Sequence, residues 1–120
     1  MKLIVTSTGR TLADPVDLRF GRARHFLLVD TETGTVTVHE NTQNLNAAQG
    51  AGIQSGETVA RLGATAVVTG NVGPKAFRML KAAGVSVYLC GEGTAEDAVR
   101  KFKDGELKET TAANVEGHWA

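Results

Sequence analysis

The chain predicts an α/β protein built on a five-stranded mixed β-sheet with helices packed on it, and three features carry that expectation. The second half alternates short apolar runs with helical stripes in the order β-α-β-α-β, which calls for parallel pairing through right-handed crossovers. The first half holds two strand-like runs around Thr31-Glu32-Thr33-Gly34, the pattern of an antiparallel hairpin. Near the start, Leu3-Ile4-Val5 is a continuous apolar run of the kind buried on both faces of a sheet.

Lys2–Ser7 reads as the first strand. Thr8–His25 breaks the pattern with Gly9, Pro15 and Gly21, and connections of that length in small domains are commonly functional or disordered. Phe26–Asp30 and Thr35–Glu40 form the hairpin, where Val36 and Val38 alternate with Thr35, Thr37 and His39 to give one buried and one wetter face. Asn41–Gly52 is polar and small, without a period, and ends in Gly50-Ala51-Gly52. Ile53, Gly56, Val59 and Ala60 recur at helical spacing up to Leu62, and Gly63 is placed as a left-handed cap. Gly56 lowers helix propensity by about 1 kcal/mol relative to Ala, which implies close packing there, against the sheet.

Thr65–Thr69 is the next strand, and it runs into Gly70-Asn71-Val72-Gly73. Pro74 suits a first helical position, and Ala76, Phe77, Leu80 and Ala83 make the apolar stripe of a helix closed by Gly84. Val85–Leu89 is the last strand. Thr94 with Asp97 resembles a capping box, ahead of a stripe of Ala95, Ala98, Val99 and Phe102 that Gly105 ends. The expected division is a domain over 1–105 and a polar, partly ordered tail over 106–120 carrying an isolated Trp119. Parallel pairing would set Thr8–Arg10, Gly70–Gly73 and Cys90–Gly93 side by side at the C-terminal ends of their strands.

At 120 residues the chain has room for one hydrophobic core. Its 13 basic and 13 acidic residues cancel, which argues against nucleic acid or a membrane surface as partner. The charge is nevertheless uneven: Lys2, Arg10, Arg19, Arg22 and Arg24 face only Asp14 and Asp17 in the first 25 residues. The lone cysteine, Cys90, leaves no internal disulfide and fits a reducing compartment. Met-Lys-Leu-Ile-Val is too short an apolar run for a signal peptide, and no run approaches membrane-spanning length. A soluble, cytoplasmic protein is expected.

Catalytic signatures are missing. A two-magnesium nuclease on such a sheet needs strand carboxylates, and the first strand has none, while Asp30 sits at a hairpin end. No nucleophile elbow occurs, and Cys90 has no histidine near it in sequence. Gly70-Asn71-Val72-Gly73-Pro74-Lys75 lacks the spacing of a nucleotide-binding phosphate loop, and Ala76 stands where a magnesium-binding hydroxyl would be. Without a C-x-x-C pair or histidines at helical spacing, a protein-built zinc or iron–sulfur site is disfavoured. His25 and His39 read as surface or half-buried histidines, His118 as a tail residue and Cys90 as a small buried hydrophobe. A glycine loop between strand and helix is either a plain connection or an anion cradle. Arg19-Phe20-Gly21-Arg22-Ala23-Arg24 is likewise either a solvated basic loop or a set of guanidinium forks closing over an anion.

Arg19-Phe20-Gly21-Arg22-Ala23, Gly50-Ala51-Gly52-Ile53 and Val68-Thr69-Gly70-Asn71-Val72-Gly73-Pro74-Lys75-Ala76-Phe77, with Leu80 and Ala83-Gly84-Val85, resemble the dinitrogenase iron–molybdenum cofactor biosynthesis family. That family includes NifX, NafY and the C-terminal module of NifB, and the match runs from Met1 to about Lys103. The resemblance implies a ribonuclease H-like three-layer fold without nuclease activity. It also implies non-covalent carriage of an anionic metal–sulfur cluster: a molybdenum–copper sulfide as in small stand-alone members, or an iron–molybdenum cofactor-like cluster as second choice. A thiometallate arrives with its metals saturated by sulfide, so the protein needs N–H donors, cations and an apolar wall rather than ligands. On this reading Gly50, Gly52, Gly70, Asn71 and Gly73 shape the cradle and Arg10, Arg22 and Arg24 supply charge. Ile53, Val72 and Phe77 supply wall, Cys90 lies at the edge, and no metal-coordinating side chain is assigned. The alternative is a regulatory interaction module whose glycine loop and basic stretch bind a partner protein or a phosphorylated small ligand. Monomer or weak dimer fits either.

Overall fold

A computed structural model describes residues 1–41 and 51–115. Strands β1 (Lys2–Ser7), β2 (His25–Asp30), β3 (Val36–Glu40), β4 (Ala66–Thr69) and β5 (Ser86–Leu89) form one sheet in the order β3-β2-β1-β4-β5. β1 pairs antiparallel with β2 and parallel with β4; β2 pairs antiparallel with β3, and β4 parallel with β5. The mixed sheet and its hairpin are as expected. Leu3, Ile4 and Val5 are fully buried because β1 is the central strand and both its faces are covered.

Helices α1 (Ala51–Arg61) and α2 (Pro74–Ala82) cover one face over Ile4, Phe26, Val67 and Val87. Helix α3 (Ala95–Lys103) covers the other, over Leu3, Val5, Leu27 and Val68. The capping box of α3 is complete: the Asp97 amide donates to Thr94 Oγ1 (3.1 Å) and the Thr94 amide to Asp97 Oδ2 (3.4 Å). The Thr94 amide and hydroxyl, with the Arg100 guanidinium, hold the Asp97 carboxyl below its ordinary range.

The close packing that Gly56 implies is against α2, not the sheet. A Cβ at Gly56 would lie 2.6 Å from Met79 Cγ, and one at Gly52 would lie 2.9 Å from Ala76 Cβ. The two glycines, one turn apart, let α1 approach α2 backbone to backbone, so both helices begin side by side at the same end of the sheet.

Residues 106–115 are not free of the domain. Thr110 N–H donates to the Val87 carbonyl (2.8 Å), Tyr88 bridges Glu109 in antiparallel fashion, and Leu107 packs into the α3-side cluster. His118 and Trp119 lie outside the described residues.

Ala76 is a stub that cannot turn aside, so Gly52→Val should force the helices apart and lower stability by about 1–3 kcal/mol in urea unfolding. Gly52→Val combined with Ala76→Gly should lose less than the sum of the single changes. Asp97, with its lowered pKa, stabilises the fold above the unfolded carboxylate range, a contribution lost as pH falls through the folded pKa. Asp97→Ala should therefore be less stable at neutral pH and show a flatter stability profile below about pH 4.

Candidate functional site

The C-terminal ends of β1, β4 and β5 share one edge of the sheet, as parallel pairing requires, together with the start of β2 and the end of β3. The long segment after β1 folds back over that edge. Its first part covers α3, where the Ala95 amide donates to the Asp14 carbonyl and Glu96 to Leu12, both at 2.9 Å. Val16 N–H then reaches the Gly93 carbonyl (2.8 Å). The turn is secured from below by a buried hydroxyl chain, in which Thr6 Oγ1 lies 2.7 Å from the Asp17 carbonyl and 2.8 Å from Thr69 Oγ1.

From Leu18 onward the segment lies along the glycine loop. Asn71 Nδ2 donates to the Leu18 carbonyl (2.9 Å), and Phe20 N–H donates to the Asn71 carbonyl (3.1 Å). Phe20 is fully buried and stacks on Phe26, with ring centroids 5.9 Å apart. This anchors the arginine stretch, since its neighbours Arg19 and Arg22 are carried past the sheet edge on either side of a core residue.

The far end of the stretch is clamped from β3 and α1. Asn41 Nδ2 donates to the carbonyls of Ala23 (2.9 Å) and Gly21 (3.4 Å), and Ser55 Oγ donates to Gly21 as well (3.1 Å). Asn41 and Ser55 are themselves joined at 3.1 Å, and both are buried. Sequence patterning gives no hint of this clamp, because its three parts meet only through the fold. The structure thus gathers Arg19–Arg24, Gly70–Gly73, Gly52 and the first turn of α2 at one edge.

The electrostatics of that edge are uneven. Helix α3 carries Glu96 and Asp97 in its first turn and caps itself. Neither α1 nor α2 has an acid in its first turn, and α2 starts from Gly73 with no side-chain cap. A helix N-terminus carries roughly half a positive charge, and here two lie together with Lys75 in the first turn of one of them.

Several expected site residues have other duties. Gly70 is glycine because Leu18 leans on it: a Cβ there would sit 2.9 Å from Leu18 Cα and nearer still to its side chain. Neither it nor Gly73 adopts a positive φ, so the loop turns on ordinary backbone. The loop's amides are not all uncovered, since Val72 N–H donates to Asn114 Oδ1 at 2.7 Å. The Val72 side chain is fully buried in the core and supports the loop from beneath instead of forming a wall. Ile53 and Phe77 are half-buried near the starts of α1 and α2. Arg24 is exposed, Arg22 half-buried, and Arg10 pairs with Glu40 at 3.6 Å from the stretch that covers α3. Cys90 packs in the α3-side cluster, where burial pushes its thiol pKa up and keeps it protonated. Gly50 lies outside the described residues.

His39 Nε2 lies 3.1 Å from Thr37 Oγ1, and His25 Nδ1 is buried without a hydrogen-bond partner. Among the described residues, no group of three or more His, Cys, Asp or Glu side chains is arranged to hold a metal ion. None of the described helices is long and apolar enough to cross a membrane.

The edge thus joins a glycine loop, two helix starts and an arginine stretch on an α/β sheet, with no group of three or more metal-ligating side chains among the described residues. The profile of the dinitrogenase iron–molybdenum cofactor family matches residues 1–105, and the chain belongs to that family. The apo form of the orange protein from Desulfovibrio gigas superposes with a TM-score of 0.87 and 39% identity, over 95% of this chain and 96% of that one. A NifB-type protein from Thermotoga, of the DUF35 family, superposes with a TM-score of 0.81 and 35% identity, over 96% and 97%. An uncharacterised protein of Methanocaldococcus jannaschii is 31% identical over 91 residues, which are 74% of this chain and 77% of the relative. Family membership points to a role in metal-cluster binding or cofactor biosynthesis.

Asn41→Ala removes a buried donor from the Ala23 and Gly21 carbonyls and a partner from Ser55. It should lower stability by about 1–3 kcal/mol in urea unfolding and speed amide exchange across residues 20–24.

Proposed function

We propose that the chain is a non-enzymatic binder or carrier of an anionic metal–sulfur cluster, held non-covalently at the edge formed by the glycine loop and the arginine stretch. The observation that supports it most is the pairing of two acid-free helix N-termini at the edge that carries the arginine stretch, where no group of three or more metal-ligating side chains occurs among the described residues. A ligand suited to that edge carries its own complete coordination sphere and a net negative charge. A sulfide-capped metal cluster has both properties, and its soft, diffuse charge matches guanidinium groups better than a compact ammonium would.

On this reading the molybdenum–copper sulfide implied by the sequence resemblance is the first choice, and an iron–molybdenum cofactor-like cluster the second. The contact set is Arg22, Arg24, Gly52, Ile53, Asn71, Gly73 and Phe77, with Gly70 and Val72 acting through their backbone. Gly50 completes the α1 approach, and Arg10 and Cys90 stand at the margin. The division into a cluster-binding domain over 1–105 with a polar tail over 106–120, the ribonuclease H-like relationship of the sheet, a cytoplasmic setting and a monomer or weak dimer are parts of the same proposal. The site faces a cluster, with a partner protein as donor or acceptor, and neither nucleic acid nor membrane.

Mixing the protein with tetrathiomolybdate and copper should give a visible chromophore that co-elutes with it in gel filtration, with molybdenum and copper retained. Arg22→Glu with Arg24→Glu should reduce uptake at least tenfold, whereas Cys90→Ser should leave uptake intact. Colourless protein without retained molybdenum overturns the reading, and a thermal shift with phosphorylated ligands alone would replace it with a phosphate-binding module.

A further inference from the structure

The described C-terminal residues make a strap with two unequal attachments. The proximal one is broad: Leu107 is packed in the α3-side cluster, Glu109 and Thr110 add to the edge of β5, and Lys81 pairs with Glu109 at 3.3 Å. Beyond it, the Thr110 hydroxyl bonds the Ala112 carbonyl at 2.7 Å in a local turn. The distal attachment is a single residue. Asn114 Oδ1 accepts from Val72 N–H (2.7 Å), and its Nδ2 donates to the Gly70 carbonyl (3.3 Å) and Asn71 Oδ1 (3.1 Å). Its own backbone amide donates to the Val72 carbonyl (3.1 Å). Thr111, Ala112 and Asn114 are exposed.

We infer that this strap is a displaceable latch: Asn114 occupies the Val72 amide of the glycine loop, and an anionic ligand loads by taking that amide while the strap beyond Thr110 lifts. The inference rests on the cluster-binding reading of the same edge. A carboxamide is a neutral acceptor, and a hydrogen bond from an amide to an anion is roughly twice as strong as one to a neutral group. The exchange therefore favours the anion, while Asn114 passes its polar groups to water at an exposed position. The turn at Thr110–Ala112 confines the movement to the distal residues, so the edge strand on β5 stays in place. The latch lies beyond residues 1–105, where the family profile matches.

The test compares the full chain with Asn114→Ala and with a chain ending at Ala112, all titrated with tetrathiomolybdate plus copper. Thermal melts and the Val72 amide exchange rate are recorded for each apo protein. Both variants should bind more tightly, by about three- to tenfold, the loss of one net hydrogen bond. Their Val72 amides should exchange at least tenfold faster, and in the loaded full chain the Asn114 side-chain amide resonances should move to solvent-exposed values. The truncated chain keeps the β5 attachment, so it remains informative should Asn114→Ala disturb the loop. A chromophore of equal affinity in all three proteins overturns the latch and leaves the cluster reading intact. Weaker binding by both variants also overturns it, by making Asn114 part of the bound site. No chromophore in any of the three overturns the cluster reading, and the latch with it.

Discussion

The arrangement of the functional edge depends on how closely Leu18 approaches Gly70. With any side chain at Gly70 the two segments would separate, and Asn71 would lose the Leu18 carbonyl and the Phe20 amide together. Phe20 reaches the core because those bonds bring its backbone to the mouth of the α1/α2 face. From there the arginine stretch has only short, fixed steps to the Asn41–Ser55 clamp. A seventeen-residue connection, numbers 8 to 24, is thereby held in one place without a strand or helix of its own. Its backbone groups are satisfied by β1, the glycine loop, α3 and Asn41 in turn, as a segment crossing a covered sheet edge requires.

The three helices start at the same edge and are treated differently. Helix α3 meets its own N-terminal charge with Thr94, Glu96 and Asp97, and the backbone of residues 12–14 satisfies its first amides. Helices α1 and α2 carry no acid in the first turn. For folding alone this is the less stable choice, by a few tenths to 1 kcal/mol per helix end. The close α1–α2 approach across Gly52 and Gly56 concentrates the effect, because it brings the two helix ends together instead of spreading them along the sheet.

Most elements were legible from the sequence because each is a local pattern. The apolar run at Leu3–Val5, the hairpin around Gly34, the Pro74 start and the Thr94–Asp97 box appear in the structure in their expected roles. The family was legible too, since Arg19–Ala23 and Val68–Phe77 carry it as ordered motifs. The purposes of individual residues were less so. Gly56 signals close packing but not against what, and Gly70 signals a tight place while the tightness comes from Leu18, fifty-two positions earlier in number. Asn41, Ser55 and Asn114 follow no period, and each acts through carbonyls or amides of segments distant in sequence. Hydrogen bonding to the backbone leaves no signature in the identity of the partner residue, so such contacts are invisible until the chain is folded.

A polar cradle intended for an anion faces a difficulty in its empty state, because amides turned inward at a partly covered edge are costly to leave unpaired. Water meets that need only where the edge is open. An acidic side chain would meet it too well, neutralising the charge that is to attract the ligand, and would have to be expelled against its own charge-assisted bonds. Asn114 meets the need differently. Its carboxamide satisfies the Val72 amide and returns two donors to Gly70 and Asn71, yet adds no charge. The attraction of the edge for an anion is left to other groups while the backbone is satisfied. On the proposed reading, stability of the empty protein and attraction for an anion are thus separated onto different groups, and a neutral latch achieves that separation with a single side chain.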